Sequence, residues 1–496
     1  LQVPLLLFLS IVVYGFRLGD GGFVNTEGHR TFPAWEMLAD GDYFTQRLFG
    51  VIYLRKPLGH TWAIAASSAM FGKTEFAARF VGAVSGIGMV LVTYWFARRW
   101  FGAGAGLPAG IAQMLTPLFW KYQRSAEIEG LHNFLVQLMV LLLIELFVFQ
   151  RNKASGRHTL FVLCCGWAAS GTVLVKGPAS IPCFLGTLVA ICLVERTREP
   201  LRSKTLWSVI GICGALIIPV TLLILHRTMT ANEPVITQRV LGFFWETSLV
   251  GVLTMIPSAW LQAFPLCLFL IAPWLRVEQT ESRSLENRLA RVLAASSLLS
   301  VFFYATYGLT NPRYAMPAVT FVSPLVGYFV TIRRPFSFRF DPTGVTLSSW
   351  GPRAATIVLV ASWVGYIEYF EPRARAKSGE QEGRRLAEVL PDGAKIWADT
   401  LIEARPETLG YAREFATRLG KRIEVQWKPL PSNHHPSPPP QGMFVALRTD
   451  NQEWEYWKNA RLFDQIDWQT EGKVYKYHYL IGKVLDPIPQ TARSQR

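Results

Sequence analysis

Charge is what this chain has least of. Of its 496 residues only 17% are Asp, Glu, Lys or Arg, whereas 50% are hydrophobic, too few charges to cover an ordinary soluble surface. Acidic residues are scarcer still, 35 against 50 basic ones, for a net charge of +15. Such an excess can mark a nucleic-acid binder, but no helix-turn-helix, zinc-finger or aromatic-basic RNA signature accompanies it. Nucleic acid is not an expected partner. Cysteine is sparse as well: Cys164, Cys165, Cys183, Cys192, Cys213 and Cys267 all fall inside apolar stretches, where a thiol packs as a small hydrophobe. Their spacing supports neither a disulfide framework nor a metal site. A convincing internal repeat is also missing, and the apolar blocks hold few ionisable groups.

Long apolar blocks, by contrast, are abundant. A helix crossing the hydrocarbon core needs roughly 20 mostly apolar residues. Leu131 to Phe149, Leu160 to Val175, Ile181 to Val194, Leu206 to Leu225, Leu249 to Leu275, Val292 to Tyr307, Ala315 to Ile332 and Ala354 to Tyr369 are the clearest candidates. Val3 to Phe16, Phe80 to Phe96 and Gly104 to Trp120 complete the set. Together they predict an α-helical polytopic membrane protein of about eleven transmembrane helices. Val3 to Phe16 has no basic leader and no small-residue cleavage site, so it reads as a span rather than a signal peptide. A chain opening on Leu1 is expected to have residues upstream.

Short cytoplasmic loops collect Lys and Arg. Numbered from a cytoplasmic N-terminus, the inside loops carry Arg98 and Arg99; Arg151, Lys153 and Arg157; Arg196, Arg198, Arg202 and Lys204; Arg276, Arg283, Arg288 and Arg291; Arg333, Arg334 and Arg339. Every inside loop is basic. An odd number of spans then leaves the C-terminal tail outside. Beyond Glu371 the composition turns polar, with helix-like stretches at Gln381 to Val389 and Thr408 to Leu419 and strand-like ones at Arg422 to Trp427 and Met443 to Leu447. The expected division is a membrane domain over residues 1–370 and a small extracytoplasmic α/β domain over 371–496. Pro429 to Pro440, with His434 and His435, reads as a Pro-rich loop.

Residues 17–79 form a first outside loop far longer than a simple connection needs, and long loops are usually functional. Glu27, His29, Arg30, Glu36, Arg47, Arg55 and Lys56 stand there among many aromatic residues. Phe32, Trp35 and Leu38 recur at helical spacing, which predicts a short amphipathic helix on the membrane surface.

The stretch NTEGHRTFPAWEMLADGDYF, followed by VIYLRKPLGHTW and MFGKTEFAARFVGAV, resembles the first outer loop of polyprenyl-phosphate-sugar-dependent glycosyltransferases of the C-type membrane fold. That group includes protein O-mannosyltransferases and lipid A aminoarabinose transferases. Glu36-Met37-Leu38, Gly41-Asp42, Lys56-Pro57, Phe71-Gly72 and Ala78-Arg79 occur in the group's order and at similar spacings. Three later elements are also similar: RSAEIEGLHNFL, where Glu129 matches the acidic position; VLVKGPASIP, with Lys176; and NPRYAMPAV, with Arg313 and Tyr314. The likeness runs from about Asn25 to Val330. It implies a C-type glycosyltransferase-like fold in a bacterial inner or plasma membrane. The implied activity is transfer of a sugar, with inversion at the anomeric carbon, from a polyprenyl-phosphate donor to a lipid, glycan or protein acceptor on the extracytoplasmic face.

That chemistry needs a carboxylate to deprotonate the acceptor and cations to stabilise the departing phosphate. Glu27 and Glu129 are the carboxylate candidates, with Glu27 favoured and Glu129 free to pair with Arg124 instead. Lys56, Lys176, Arg313, Tyr314, Arg55 and Arg30 are the candidates for donor phosphate. The chain departs from the group in having Thr26 where an Asp base is usual, and a Thr hydroxyl is no base at neutral pH. Arg55 replaces an acidic residue that can help bind metal, so neither metal nor other cofactor is expected; Leu58 replaces a second Pro. A flippase for lipid-linked sugars and an inactive assembly subunit are the competing readings.

Overall fold

The computed structural model describes residues 2–150, 157–231, 235–237, 249–274, 284–306, 311–333, 357–376, 378–398, 401–402, 405–427, 442–449, 466–474 and 477–484. Arg151, Lys153, Arg276, Arg283, Arg334 and Arg339 of the basic loops, and Pro429 to Pro440 with both histidines, lie outside these residues.

The chain begins with α1 (Gln2–Gly15) and continues through α2 (Gly28–Asp40), β1 (Arg47–Leu48), β2 (Val51–Leu54), α3 (Gly59–Phe71) and α4 (Glu75–Phe101). Helices α5 (Gly106–Leu115), α6 (Pro117–Gln123), α7 (Glu129–Ile144), α8 (His158–Lys176) and α9 (Ile181–Val194) follow. Among the described residues six helical runs are long and apolar enough to cross a membrane: Glu75–Phe101, Glu129–Phe149, His158–Val194, Lys204–Thr230, Leu285–Thr306 and Pro312–Ile332. Leu253–Gln262 and Leu266–Trp274, bent by 103°, make a seventh if taken as one span.

Several breaks separate this count from the eleven expected. Helix α1 has only 14 residues. The segment from Gly104 to Trp120 is divided at Thr116, which is extended at ψ 115°, as a residue before proline prefers to be. The 37-residue run from His158 to Val194 contains a 3-10 turn at Gly177–Ser180. There Gly177 has φ +65°, the left-handed region that suits glycine, and Thr172 and Ser180 share a hydrogen bond of 2.8 Å between their hydroxyls. Local chemistry fixes other ends. Thr74 caps α4 by accepting from Ala77 N–H, with Glu75 in the first turn and Arg98 and Arg99 in the last, which suits the helix dipole.

The tail carries a five-stranded sheet in the order β5-β4-β6-β8-β7. Strand β4 (Ala394–Ala398) pairs in parallel with β5 (Ile423–Trp427) and β6 (Phe444–Arg448), and β8 (Tyr477–Val484) runs antiparallel to β6 and β7 (Ile466–Val474). A short β3 (Val235–Thr237) joins β2 instead. Helices Glu380–Val389 and Pro406–Arg418 pack on the tail's sheet.

The tail and the first outer loop share one apolar core. Phe23, Phe32, Trp35 and Phe49 of the loop are buried with Leu386, Leu409, Tyr411, Ala412, Ile396 and Val425 of the tail. Phe23 stacks on Tyr411 at 5.6 Å, and Phe32 meets the same ring edge-on at 6.2 Å; such pairs contribute about 0.5–1.5 kcal/mol each beyond area burial. The helix expected over Phe32 and Trp35 is therefore present as α2, but its apolar face is covered by the tail rather than by the membrane surface. The periodicity marked the apolar face without saying what covers it.

Candidate active site

Helix α7 enters the bundle at Glu129, and its first turn lies unusually close to α4. A Cβ on Gly130 would meet the Tyr122 carbonyl at 2.9 Å and Gly82 Cα at 3.1 Å, the close approach that small residues allow between membrane helices. Glu129 is thereby buried, 3% exposed. Its Oε1 accepts from Lys176 Nζ at 3.2 Å, and Arg313 Nε stands 3.9 Å from the same atom. Lys176 also lies 5.0 Å from the centre of the Tyr314 ring, and Arg313 lies 5.3 Å from it.

Lys56 completes the group from the first loop. Burial, then the charges of Arg30 and Lys176, push its ammonium down to about 8, against a counter-pull from Glu129. Sites for a further partner remain open in this cluster: Glu129 Oε2, Arg313 Nε and Arg30 Nε and Nη1 are buried without a hydrogen bond among the described residues. Lys176, Arg313 and Lys56 thus gather about one carboxylate, with Arg30 acting on Lys56, an excess of positive charge suited to an anion. The guanidinium of Arg55, the residue before Lys56, lies 5.9 Å from the Tyr53 ring centre.

Glu27 stands apart from this set. It is 1% exposed, and Arg79 clamps both its oxygens at 2.9 and 3.1 Å. The Val24 and Ala126 N–H groups each donate to it at 2.8 Å. Burial alone would raise its carboxyl, but the Arg79 charge and these hydrogen bonds outweigh that and hold it below the ordinary range. Arg79 itself donates to the carbonyls of Leu18, Asp20, Gly21 and Gly22. Glu27 thus anchors the turn at Ala126, whose carbonyl lies 2.9 Å from His60 Nε2. Its charged partner is Arg79 and not one of the cations at Glu129.

The alternative pairing of Glu129 with Arg124 is corrected by the structure. Arg124 forms its ion pair with Glu371 at 2.8 Å and also donates to the carbonyls of Val13 and Phe16. Glu371 is held in turn by Arg375 at 2.6 Å. The sequence could not choose Glu371, 247 positions away.

Glu127, His132 and Asn133 lie close to Glu129 in the chain and are not among the candidates that the sequence motifs supply. Glu127 is buried, and burial with the charges of Glu129 and Glu27 pushes it up to about 7. His132 and Asn133, each 1% exposed, follow Glu129 at i+3 and i+4 on the same face of α7. Their signal was available: two adjacent polar residues one turn inside an apolar run.

The chain is similar in sequence and in fold to known proteins. Residues 55–223 match the family model of dolichyl-phosphate-mannose-protein mannosyltransferases. An undecaprenyl phosphate-alpha-4-amino-4-deoxy-L-arabinose arabinosyl transferase of Pseudomonas fluorescens is 25% identical over 336 residues, 66% of this chain and 59% of that protein. An uncharacterized protein of Aquifex aeolicus is 29% identical over 40% of this chain and 39% of its own length. The chain therefore spans less than two thirds of these relatives. The crystal structure of ArnT from Cupriavidus metallidurans superposes with a TM-score of 0.67 at 16% identity, covering 98% of this chain and 99% of that one.

The chain has the ArnT fold. The same ArnT bound to undecaprenyl phosphate superposes at 0.65, with 16% identity and the same coverage. The resemblance read from the motifs, to polyprenyl-phosphate-sugar-dependent transferases of the C-type fold, is thus supported by sequence and by architecture.

Proposed function

We propose that this protein transfers a sugar from a polyprenyl-phosphate donor to a lipid, glycan or protein acceptor on the extracytoplasmic side of a bacterial inner membrane. The observation that carries the reading is the contact of Lys176 and Arg313 with Glu129, with Lys56 close enough to feel its charge. Lys176, Arg313 and Lys56 hold the donor phosphate, with Tyr314 beside them. The Glu129 carboxylate takes the proton of the acceptor hydroxyl through its open Oε2. The acceptor oxygen then bonds to the anomeric carbon as the bond from that carbon to the phosphate oxygen breaks, with inversion, and the lipid phosphate leaves with the electron pair. The cations stabilise its growing charge.

An apolar groove of about 370 Å³, lined by Met139, Val173, Ile181, Phe184, Val209 and Ile217 among others, suits the lipid tail. Two of its lining residues, Thr172 and Ser180, flank Lys176 in sequence, so tail and phosphate sites adjoin. The full count of eleven spans, with the tail outside, is supported by the alternation of basic loops. The tail packs against the first outer loop, so the two share a side.

Replacing Lys56, Lys176 or Arg313 with Met should weaken binding of undecaprenyl phosphate to the purified protein, since each charge-assisted hydrogen bond contributes roughly 1.5–3 kcal/mol. Transfer from a glycosylated donor should fall in parallel. Full affinity in all three variants, or movement of glycosylated lipid across vesicles without transfer, would overturn the reading.

A further inference from the structure

The cation cluster accounts for a phosphate but leaves two side chains beside it unexplained. His132 and Asn133 are each 1% exposed. Both ring nitrogens of His132, and both the oxygen and the nitrogen of the Asn133 amide, lack a hydrogen-bond partner among the described residues. Leaving a buried polar group without a partner is unfavourable, and here four such atoms sit on neighbouring residues. One turn further along α7 the situation changes: Gln137 Nε2 donates to Thr93 Oγ1 at 2.8 Å and to Gln113 Oε1 and the Thr320 carbonyl at 3.3 Å. The stripe on α7 therefore runs from Glu129, paired with Lys176, through two unsatisfied residues, to an amide whose donor is satisfied.

We propose that His132 and Asn133 read the hydroxyl groups of the sugar carried by the lipid-linked donor. This rests on the phosphate site proposed above and adds a specificity role to its neighbours. The chemistry selects hydroxyls. A phosphate only accepts hydrogen bonds and would leave Asn133 Oδ1 facing another acceptor, and a lipid tail would satisfy none of the four atoms. A sugar hydroxyl donates and accepts at once, matching an amide and an imidazole, each of which presents both functions. Position selects the donor rather than the acceptor. His132 and Asn133 lie one turn along α7 from Glu129, which accepts from Lys176 Nζ at 3.2 Å, so a ring held beside them adjoins the phosphate that the cation cluster binds. Waters filling the same places in the absence of donor would be displaced by its hydroxyls.

The test compares binding of bare undecaprenyl phosphate with that of undecaprenyl phosphate bearing 4-amino-4-deoxy-L-arabinose or mannose, in one detergent. The parent should hold at least one glycosylated lipid tenfold or more tighter than the bare lipid. His132→Phe and Asn133→Leu should bring that ratio near one while bare-lipid affinity changes less than twofold, and His132→Gln should restore part of it. Melting temperature without ligand should hold or rise in these variants, because no existing hydrogen bond is removed; a purely structural role predicts a fall. Equal loss for bare and glycosylated lipid, no loss for either, or a parent that does not distinguish them would overturn the assignment. Failure of the phosphate site itself shows separately, as unchanged bare-lipid affinity in Lys176→Met and Arg313→Met.

Discussion

A buried carboxylate with four hydrogen bonds has no lone pair left to receive an acceptor's proton. Glu27 is in that position, whereas Glu129 keeps one oxygen open beside the cations. Glu27→Gln should therefore act through the fold, leaving Arg79 buried without its counter-charge. Breaking a buried pair in this way costs roughly 3–5 kcal/mol, to be seen as a lowered melting temperature and yield. Glu129→Gln should leave the fold and bare-lipid binding intact and slow transfer by roughly a hundredfold to ten-thousandfold, the usual worth of a general base. A slow but stable Glu27→Gln beside an active Glu129→Gln would reverse the assignment. Glu127 adds a pH signature. With its carboxyl pushed up to about 7 by burial and by Glu129 and Glu27, the acidic turn sheds its last proton near that pH. Transfer should rise as pH passes through about 7, and this limb should disappear in Glu127→Gln.

At the scale of helices, the site depends on how near α7 lies to α4. Gly130→Val would drive a side chain into the Tyr122 carbonyl and Gly82, moving Glu129 away from Lys176. Gly211, in the helix Lys204–Thr230, has nothing within 4 Å of an added Cβ. Gly130→Val should therefore cut transfer strongly while Gly211→Val leaves it near parental, measured on equal amounts of folded protein. Equal activity in the two would mean that the approach of α7 to α4 does not position the site. Much of this level was legible in the chain. Apolar runs located the long helices, and the motifs around Lys56, Glu129, Lys176 and Arg313 named residues that meet in space. The breaks at Thr116 and Gly177 were harder, because hydropathy registers apolar length but not a change of backbone direction. The sequence offered Arg124 to Glu129 only as an alternative, and its partner is Glu371, a choice that only the tertiary fold makes.

For the whole molecule, the seam between tail and first loop is where stability and pH meet. Glu407, 1% exposed, packs against Gly28, with both carboxylate oxygens lacking a hydrogen-bond partner among the described residues. Burial lifts its carboxyl from 4.5 to about 8. Folded protein therefore keeps a proton that the unfolded chain releases above about 4.5, so stability falls as pH rises from about 4.5 to about 8 and then levels. Glu407→Gln should melt close to the parent at pH 5 and higher than it at pH 8. A difference that does not change with pH would show that Glu407 is not held in its protonated form. This seam was not legible in the sequence, since a helix with an apolar face carries no mark of which distant segment will cover it.

The shared core also sets an order of events during synthesis. Phe23 precedes Tyr411, its partner, by 388 residues, an interval of roughly 20–80 s at the usual 5–20 residues translated per second. Throughout it the loop bearing Lys56 stands with Phe23, Phe32 and Trp35 lacking their cover from the tail. The segment that covers this loop is made long after it, so a chain released before Tyr411 would carry Lys56, Lys176 and Arg313 and still lack the surface that packs on Phe23, Phe32 and Trp35.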